Sequence, residues 1–199
     1  MFRTLEVLVR NLMLLFWDYR AEGTENVPLT GGVILASNHQ SHLDPVMLRL
    51  PLDRPIGYVA RMTLFKSKAF AAIIRYLGAM SFDRSSTGAQ EMKSLVAVFK
   101  EGAALIFFPE GTRSPDGELK PLRPGIALLA KQAGVPVVPV AVEGTYQCWP
   151  RRRKMFRPGR VRVVFGEPVV YGRKDRRGEI LEDLSGRIAA LASRAREMC

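Results

Sequence analysis

His39 and Asp44 are the residues whose types and spacing could move a proton. They stand five positions apart in Asn38-His39-Gln40-Ser41-His42-Leu43-Asp44-Pro45. A neutral imidazole, with an ordinary pKa of about 6.5, is the natural base for taking a proton from an alcohol at neutral pH. A carboxylate on its other ring nitrogen would fix the tautomer and stabilise the imidazolium that forms. Taken alone, the stretch also fits a polar loop in which Asn38, Ser41 and Asp44 only cap a helix. The His39-x-x-His42 spacing suits zinc, but no further histidine or nearby cysteine completes such a site.

A second set of polar groups follows other apolar runs. Arg84 ends Gly78-Ala79-Met80-Ser81-Phe82-Asp83-Arg84, and Glu110, Gly111, Thr112 and Arg113 follow Ala103 to Phe108. Guanidinium forks clamp phosphate oxygens. Glu110 is placed to accept from a hydroxyl, and Gly111 allows close backbone approach. Taken singly, each arginine equally fits a surface ion pair of little energetic weight. The Gly-x-Ser-x-Gly elbow, the Walker loop and Gly-x-Gly-x-x-Gly are all missing, which argues against an α/β hydrolase, a P-loop nucleotidase and a dinucleotide enzyme.

Elements that would position these residues are legible in the apolar pattern. Val33 to Ser37, bounded by Gly31-Gly32, reads as a buried strand, and Ser41-x-x-Asp44 before Val46, Met47 and Leu48 opens a helix like a capping box. Further strands are expected at Ile56 to Ala60, Ala103 to Phe108, Val135 to Val140 and Val161 to Phe165. Helices are expected after the Thr87-x-x-Gln90 cap, over Pro124 to Ala133 and over Ile180 to Arg196, and Phe65 to Leu77 reads as an apolar helix. The alternation predicts a single α/β domain with a mixed, mostly parallel sheet covered on both faces. Residues 1 to 18 carry Phe2, Leu5, Val9, Leu12 and Phe16 on one helical face. That pattern fits an amphipathic helix, packed on its own domain or lying in a membrane plane.

The bulk properties set the partners. A chain of 199 residues, 47% hydrophobic and 25% charged, is long enough for one core without disulfides, and Cys148 and Cys199 suggest no framework. A net charge of +11 and a pI near 10.2 call for a negatively charged partner. Arg151, Arg152, Arg153, Lys154, Arg157 and Arg160 concentrate that charge among Trp149, Met155 and Phe156, without an acid between them. No apolar run approaches the roughly 20 residues that span a bilayer. The two isolated cysteines fit a reducing, cytosolic setting, and the N-terminus lacks the small-residue cleavage site of a secretory signal.

Taken together, these blocks resemble the glycerolipid acyltransferases. Asn38 to Asp44 is similar to that family's His-x4-Asp block, Gly78 to Arg84 to its second, Phe108 to Ser114 to its Phe-Pro-Glu-Gly-Thr-Arg-Ser block, and Val135 to Val140 to its fourth. The resemblance implies an O-acyltransferase that moves a fatty acyl chain from a coenzyme A or acyl carrier protein thioester to the free hydroxyl of a lysophospholipid. Its best-known members act on 1-acyl-glycerol-3-phosphate. It implies that His39 is the base, that Asp44 orients it, and that Arg84, Glu110, Gly111, Thr112 and Arg113 engage the glycerol phosphate. No acyl-enzyme, metal or cofactor beyond the co-substrate is implied. Two departures stand out: Ser81 and Phe82 replace the family's usual pair in the second block, and Leu122-Arg123-Pro124-Gly125 replaces its Phe-Lys before glycine.

The expected division is an amphipathic N-terminal helix over residues 1–20 and an acyltransferase domain over residues 21–199. The expected setting is the cytoplasmic face of a membrane, peripheral or monotopic, on an anionic lipid surface. Acylation of another lyso-lipid is the nearest alternative. A non-catalytic protein that uses the basic, aromatic stretch on membrane or nucleic acid is a further one, although no specific nucleic-acid motif is present.

Overall fold

Val33–Ser37 (β2) is buried along its whole length, as a central parallel strand covered on both faces must be. In this computed structural model of the protein, the described residues are 14, 16–61, 79–82, 88–153 and 155–199. Their remaining strands are Asp18–Glu22 (β1), Gly57–Arg61 (β3), Ala79–Phe82 (β4), Ala104–Phe107 (β5), Val137–Glu143 (β6) and Arg160–Phe165 (β7). Their helices are Asp44–Arg49 (α1), Gly88–Lys100 (α2), Gly125–Ala133 (α3), Thr145–Cys148 (α4) and Arg177–Glu197 (α5), with a short 3-10 turn at Thr24–Asn26.

The seven strands lie in the order β1-β7-β6-β2-β5-β3-β4. All pairs are parallel except β6 with β7. The expected mixed, mostly parallel α/β sheet is therefore present. Successive residues of β2 point to opposite faces, so Val33 and Leu35 join one core with Met47, Leu48, Val140 and Val163. Ile34 and Ala36 join the other with Phe99, Ile126, Leu129, Leu184 and Ile188 from α2, α3 and α5. Gly134, in the left-handed conformation, ends α3, where its amide reaches the Ala130 carbonyl.

Two readings of the sequence change. Asp18–Glu22 is a strand, so residues 18 to 20 belong to the sheet rather than to an N-terminal helix. Its exposed and half-buried residues alternate, as on an edge, and buried Arg162 fastens it by pairing with Asp18 Oδ2 at 2.8 Å. The first helix opens at Asp44, with Leu43 rather than Ser41 as its cap. Pro45 favours that late start, and the Ser41 hydroxyl donates instead to the Trp149 carbonyl at 2.7 Å.

Residues 1 to 13, the Phe65 to Leu77 helix and the Thr87 cap lie outside the described residues. Among the described residues no helix is long and apolar enough to cross a membrane.

Candidate active site

Because β2, β5, β3 and β4 run parallel, their carboxyl ends share one rim of the sheet, where the crevices of open α/β sheets form. His39 leaves β2 there, and Glu110 leaves β5 beside it.

Asp44 organises the first of these loops. It is fully buried, and its Oδ2 accepts from the backbone amides of Gln40 at 2.6 Å and Ser41 at 2.8 Å. The same oxygen lies 2.8 Å from His39 Nδ1, and Oδ1 accepts from the Thr145 hydroxyl at 2.6 Å. A charged oxygen with this many donors is well compensated for its burial. The arrangement places the proton on Nδ1 and turns Nε2 into the lone-pair nitrogen. The His39 ring stacks on Phe108 at 3.9 Å between centroids and 17° between planes, with 17% of its side chain exposed.

The second loop is fastened to the first. The His39 amide donates to Glu110 Oε1 at 2.7 Å, and the Ser114 amide donates to the His39 carbonyl at 2.6 Å. Gly111 has φ 73°, and a Cβ there would lie 2.5 Å from Arg123 Nε. Arg123 fills that space and donates through Nε to the Glu110 carbonyl at 3.2 Å. Thr112 and Arg113 are half-buried in the same loop. A third clasp holds the end of β2 to β6: Asn38 donates to the Val142 carbonyl at 2.9 Å and accepts from its amide at 2.8 Å.

Burial pushes the Glu110 carboxyl up from 4.5 to about 7, against the pull of the His39 and Lys120 amides that donate to it. With the folded pKa above the unfolded one, the protonated acid contributes stability that is complete below pH 4.5 and lost as pH rises through about 7. Equilibrium unfolding from pH 4 to pH 8 is expected to show a decline on the order of 2 to 3 kcal/mol across that window. A Glu110→Gln variant, which cannot ionise, is expected to lack this component. An identical pH dependence in both proteins would assign the decline to other groups.

His42 is exposed, and its ring centroid lies 5.1 Å from that of Trp149. Desolvation of the covered part of the ring, then the charges of Arg113 and His39, pushes its pKa down to about 4. His42 is neutral at physiological pH.

The structure thus brings together His39, Asp44, Glu110, Gly111, Thr112 and Arg113, whereas Arg84 lies outside the described residues, two positions beyond the end of β4. Most amides of the catalytic turn are engaged within it: those of His39, Gln40, Ser41 and Leu43 donate to Glu110, Asp44, Asp44 and the Ser41 hydroxyl. Residues that the sequence did not single out are Thr145, Phe108 as a stacking partner, and Arg123. The available signals were Phe108's place at the end of an apolar strand and Arg123's departure from the family pattern. A cleft of about 390 Å³ lies beside Gln40, with Glu118, Glu143, Tyr146 and Arg196 among its walls, and does not include His39.

Comparison with known proteins bears on this site. The sequence profile of the acyltransferase family matches residues 18–143. The chain is 33% identical over 163 residues to a chloroplastic 1-acyl-sn-glycerol-3-phosphate acyltransferase of Brassica napus, covering 80% of this chain and 47% of that one. It is 28% identical over 177 residues to the 1-acyl-sn-glycerol-3-phosphate acyltransferase of Bacillus subtilis, covering 85% and 86%. It spans about half the length of the plant relatives it matches. The crystal structure of the 1-acyl-sn-glycerophosphate acyltransferase PlsC from Thermotoga maritima superimposes with a TM-score of 0.76 at 31% identity, over 96% of this chain and 79% of that one.

Proposed function

The chain belongs to the acyltransferase family, and from that premise we propose that it transfers a fatty acyl group from a thioester to the free hydroxyl of a lysophospholipid. The acceptor we assign is 1-acyl-sn-glycerol-3-phosphate and the product phosphatidate, in keeping with the names of its relatives. The observation that carries the reading is the 2.8 Å contact between His39 Nδ1 and a fully buried Asp44 at the carboxyl rim of the sheet.

In the proposed mechanism His39 Nε2 takes the proton of the acceptor hydroxyl as its oxygen attacks the thioester carbonyl carbon. The tetrahedral intermediate collapses, the C–S bond breaks, and the imidazolium returns the proton to the leaving thiolate. Asp44 stabilises the imidazolium throughout. The thioester is already activated, so catalysis here is chiefly a matter of a positioned alcohol and a base. Arg84 and Arg113 are the proposed partners of the acceptor phosphate, and Glu110 the group that shapes the loop carrying Arg113. The donor is coenzyme A or acyl carrier protein, both acidic and suited to a chain of net charge +11. The reaction is placed at the cytoplasmic face of a membrane.

The test is acyl transfer to 1-acyl-sn-glycerol-3-phosphate in detergent micelles, with both thioesters offered. Turnover is expected, and the faster thioester identifies the donor. Folded protein that turns over neither this acceptor nor other lysophospholipids would overturn the assignment.

A further inference from the structure

The loop from Trp149 to Arg160 holds its apolar tip out of the protein. Met155 is 75% exposed and Phe156 48%, and Phe16 beside them is 41% exposed. Phe156 lies 5.4 Å from Phe16, 5.7 Å from Trp17 and 5.7 Å from Trp149 between ring centroids. Phe16, Phe156 and the neighbouring Met155 thus form one exposed apolar patch over the Trp17 and Trp149 rings, and a patch of that kind marks an interaction site.

The loop is built to keep this shape. The Trp17 indole donates to the Arg157 carbonyl at 2.9 Å, and the Trp149 indole to the Arg153 carbonyl at 3.0 Å. The Arg157 amide closes the loop onto the Cys148 carbonyl at 2.9 Å. Around the tip stand exposed Arg151, Arg152 and Arg157, with no acid anywhere between Trp149 and Arg160.

An apolar tip ringed by cations has two needs, a hydrocarbon layer and a layer of anionic groups above it. A bilayer surface supplies both. An acidic carrier protein would satisfy the arginines and leave Met155 in water. A nucleic acid would want open aromatic faces, whereas Trp149 and Phe156 pack edge to face on one another.

We propose that Phe16, Met155 and Phe156, with Arg151, Arg152 and Arg157, dock on an anionic lipid bilayer. This loop is a lipid-binding element separate from the N-terminal residues 1 to 13. The face adjoins the catalytic loop, because Ser41 Oγ donates to the Trp149 carbonyl at 2.7 Å and His42 packs near the Trp149 ring. Docking therefore holds His39 beside the lipid from which an acceptor would come, a purpose that rests on the acyl-transfer reading above.

The chain's two tryptophans, Trp17 and Trp149, both pack against Phe156, so intrinsic fluorescence reports on this surface. The full chain is titrated with phosphatidylcholine vesicles, with and without phosphatidylglycerol, and with lipids brominated in their acyl chains. Binding with quenching by the brominated lipids is expected, stronger with phosphatidylglycerol. Met155→Ser, at a residue that is 75% exposed, is expected to weaken binding on the order of tenfold. Arg151→Ala with Arg152→Ala is expected to cost about fivefold per arginine on anionic vesicles alone. Turnover of a short-chain acceptor dispersed as monomers is expected to match the parent's in both variants.

Parental affinity and quenching in both variants would overturn the proposal. So would arginine variants that bind vesicles normally and only raise KM for the carrier-protein thioester, which would make the loop a donor dock. Binding is read without turnover, so a chain that docks but transfers no acyl group would overturn the catalytic reading and leave this one standing.

Discussion

Replacing His39 with alanine is expected to lower kcat by about 10² to 10⁴ while the protein stays folded. The loss is chemical because the histidine is the base, and it is separable from stability because the site does not depend on the ring to stay closed. Without it, Asp44 Oδ2 still accepts from Gln40 and Ser41, and Oδ1 from Thr145. What disappears is one hydrogen bond and the stack on Phe108, together worth about 1 to 3 kcal/mol. A thermal melt of the variant is therefore expected to stay cooperative. The measurement is kcat with the better thioester at saturating acceptor, beside that melt. Activity above a tenth of the parent's in a folded variant would sink the general-base role.

Asp44 is expected to behave differently, because it serves the fold and the chemistry at once. Asp44→Ala would leave the Gln40 and Ser41 amides, the Thr145 hydroxyl and the His39 Nδ1–H without an acceptor in a buried setting. At about 1 to 3 kcal/mol for each unsatisfied buried group, with some recovery by relaxation, a loss of about 3 to 5 kcal/mol in unfolding free energy is expected along with the activity. Asp44→Asn separates the two roles. Its amide oxygen can still accept from Gln40, Ser41 and His39, while its NH₂ faces Thr145, whose hydroxyl can turn to accept. The fold should then survive with a smaller loss, and kcat should still fall on the order of 10² to 10⁴, because no negative charge remains to balance the imidazolium. An Asn variant with near-parental kcat would show that only the position of the acid matters, not its charge.

Much of this arrangement was legible in the chain before any coordinates, for reasons that can be stated. β2, β5, β6 and β7 are short runs of apolar residues because both sheet faces are covered, and such runs stand out against polar loops. His39 and Asp44 are close in sequence, so their pairing needs only a tight turn to bring it about. Glu110 was visible as a polar residue just past a buried strand. β1 was not, because Asp-Tyr-Arg-Ala-Glu has the alternating polarity of an edge and follows a helical pattern without a break. Thr145 was invisible because it lies 101 positions from the carboxylate it serves, and only the β2–β6 pairing brings them together. The fourth block looked like core and is core: β6 is buried throughout. Its unread contribution is the turn that follows, Gly144-Thr145.

The paired contacts between His39 and the Glu110-to-Ser114 loop have a consequence for local unfolding. The amide of His39 is held by one loop and its carbonyl by the other end of the same loop, so neither stretch can fray alone. The catalytic turn and the loop proposed to hold phosphate form one cooperative opening unit, with Asn38 fastening it to β6, rather than two independently breathing segments. Thermal fluctuation at the rim is then close to all-or-none. The base and the loop beside it are either both in place or both lost, and partly assembled sites stay rare.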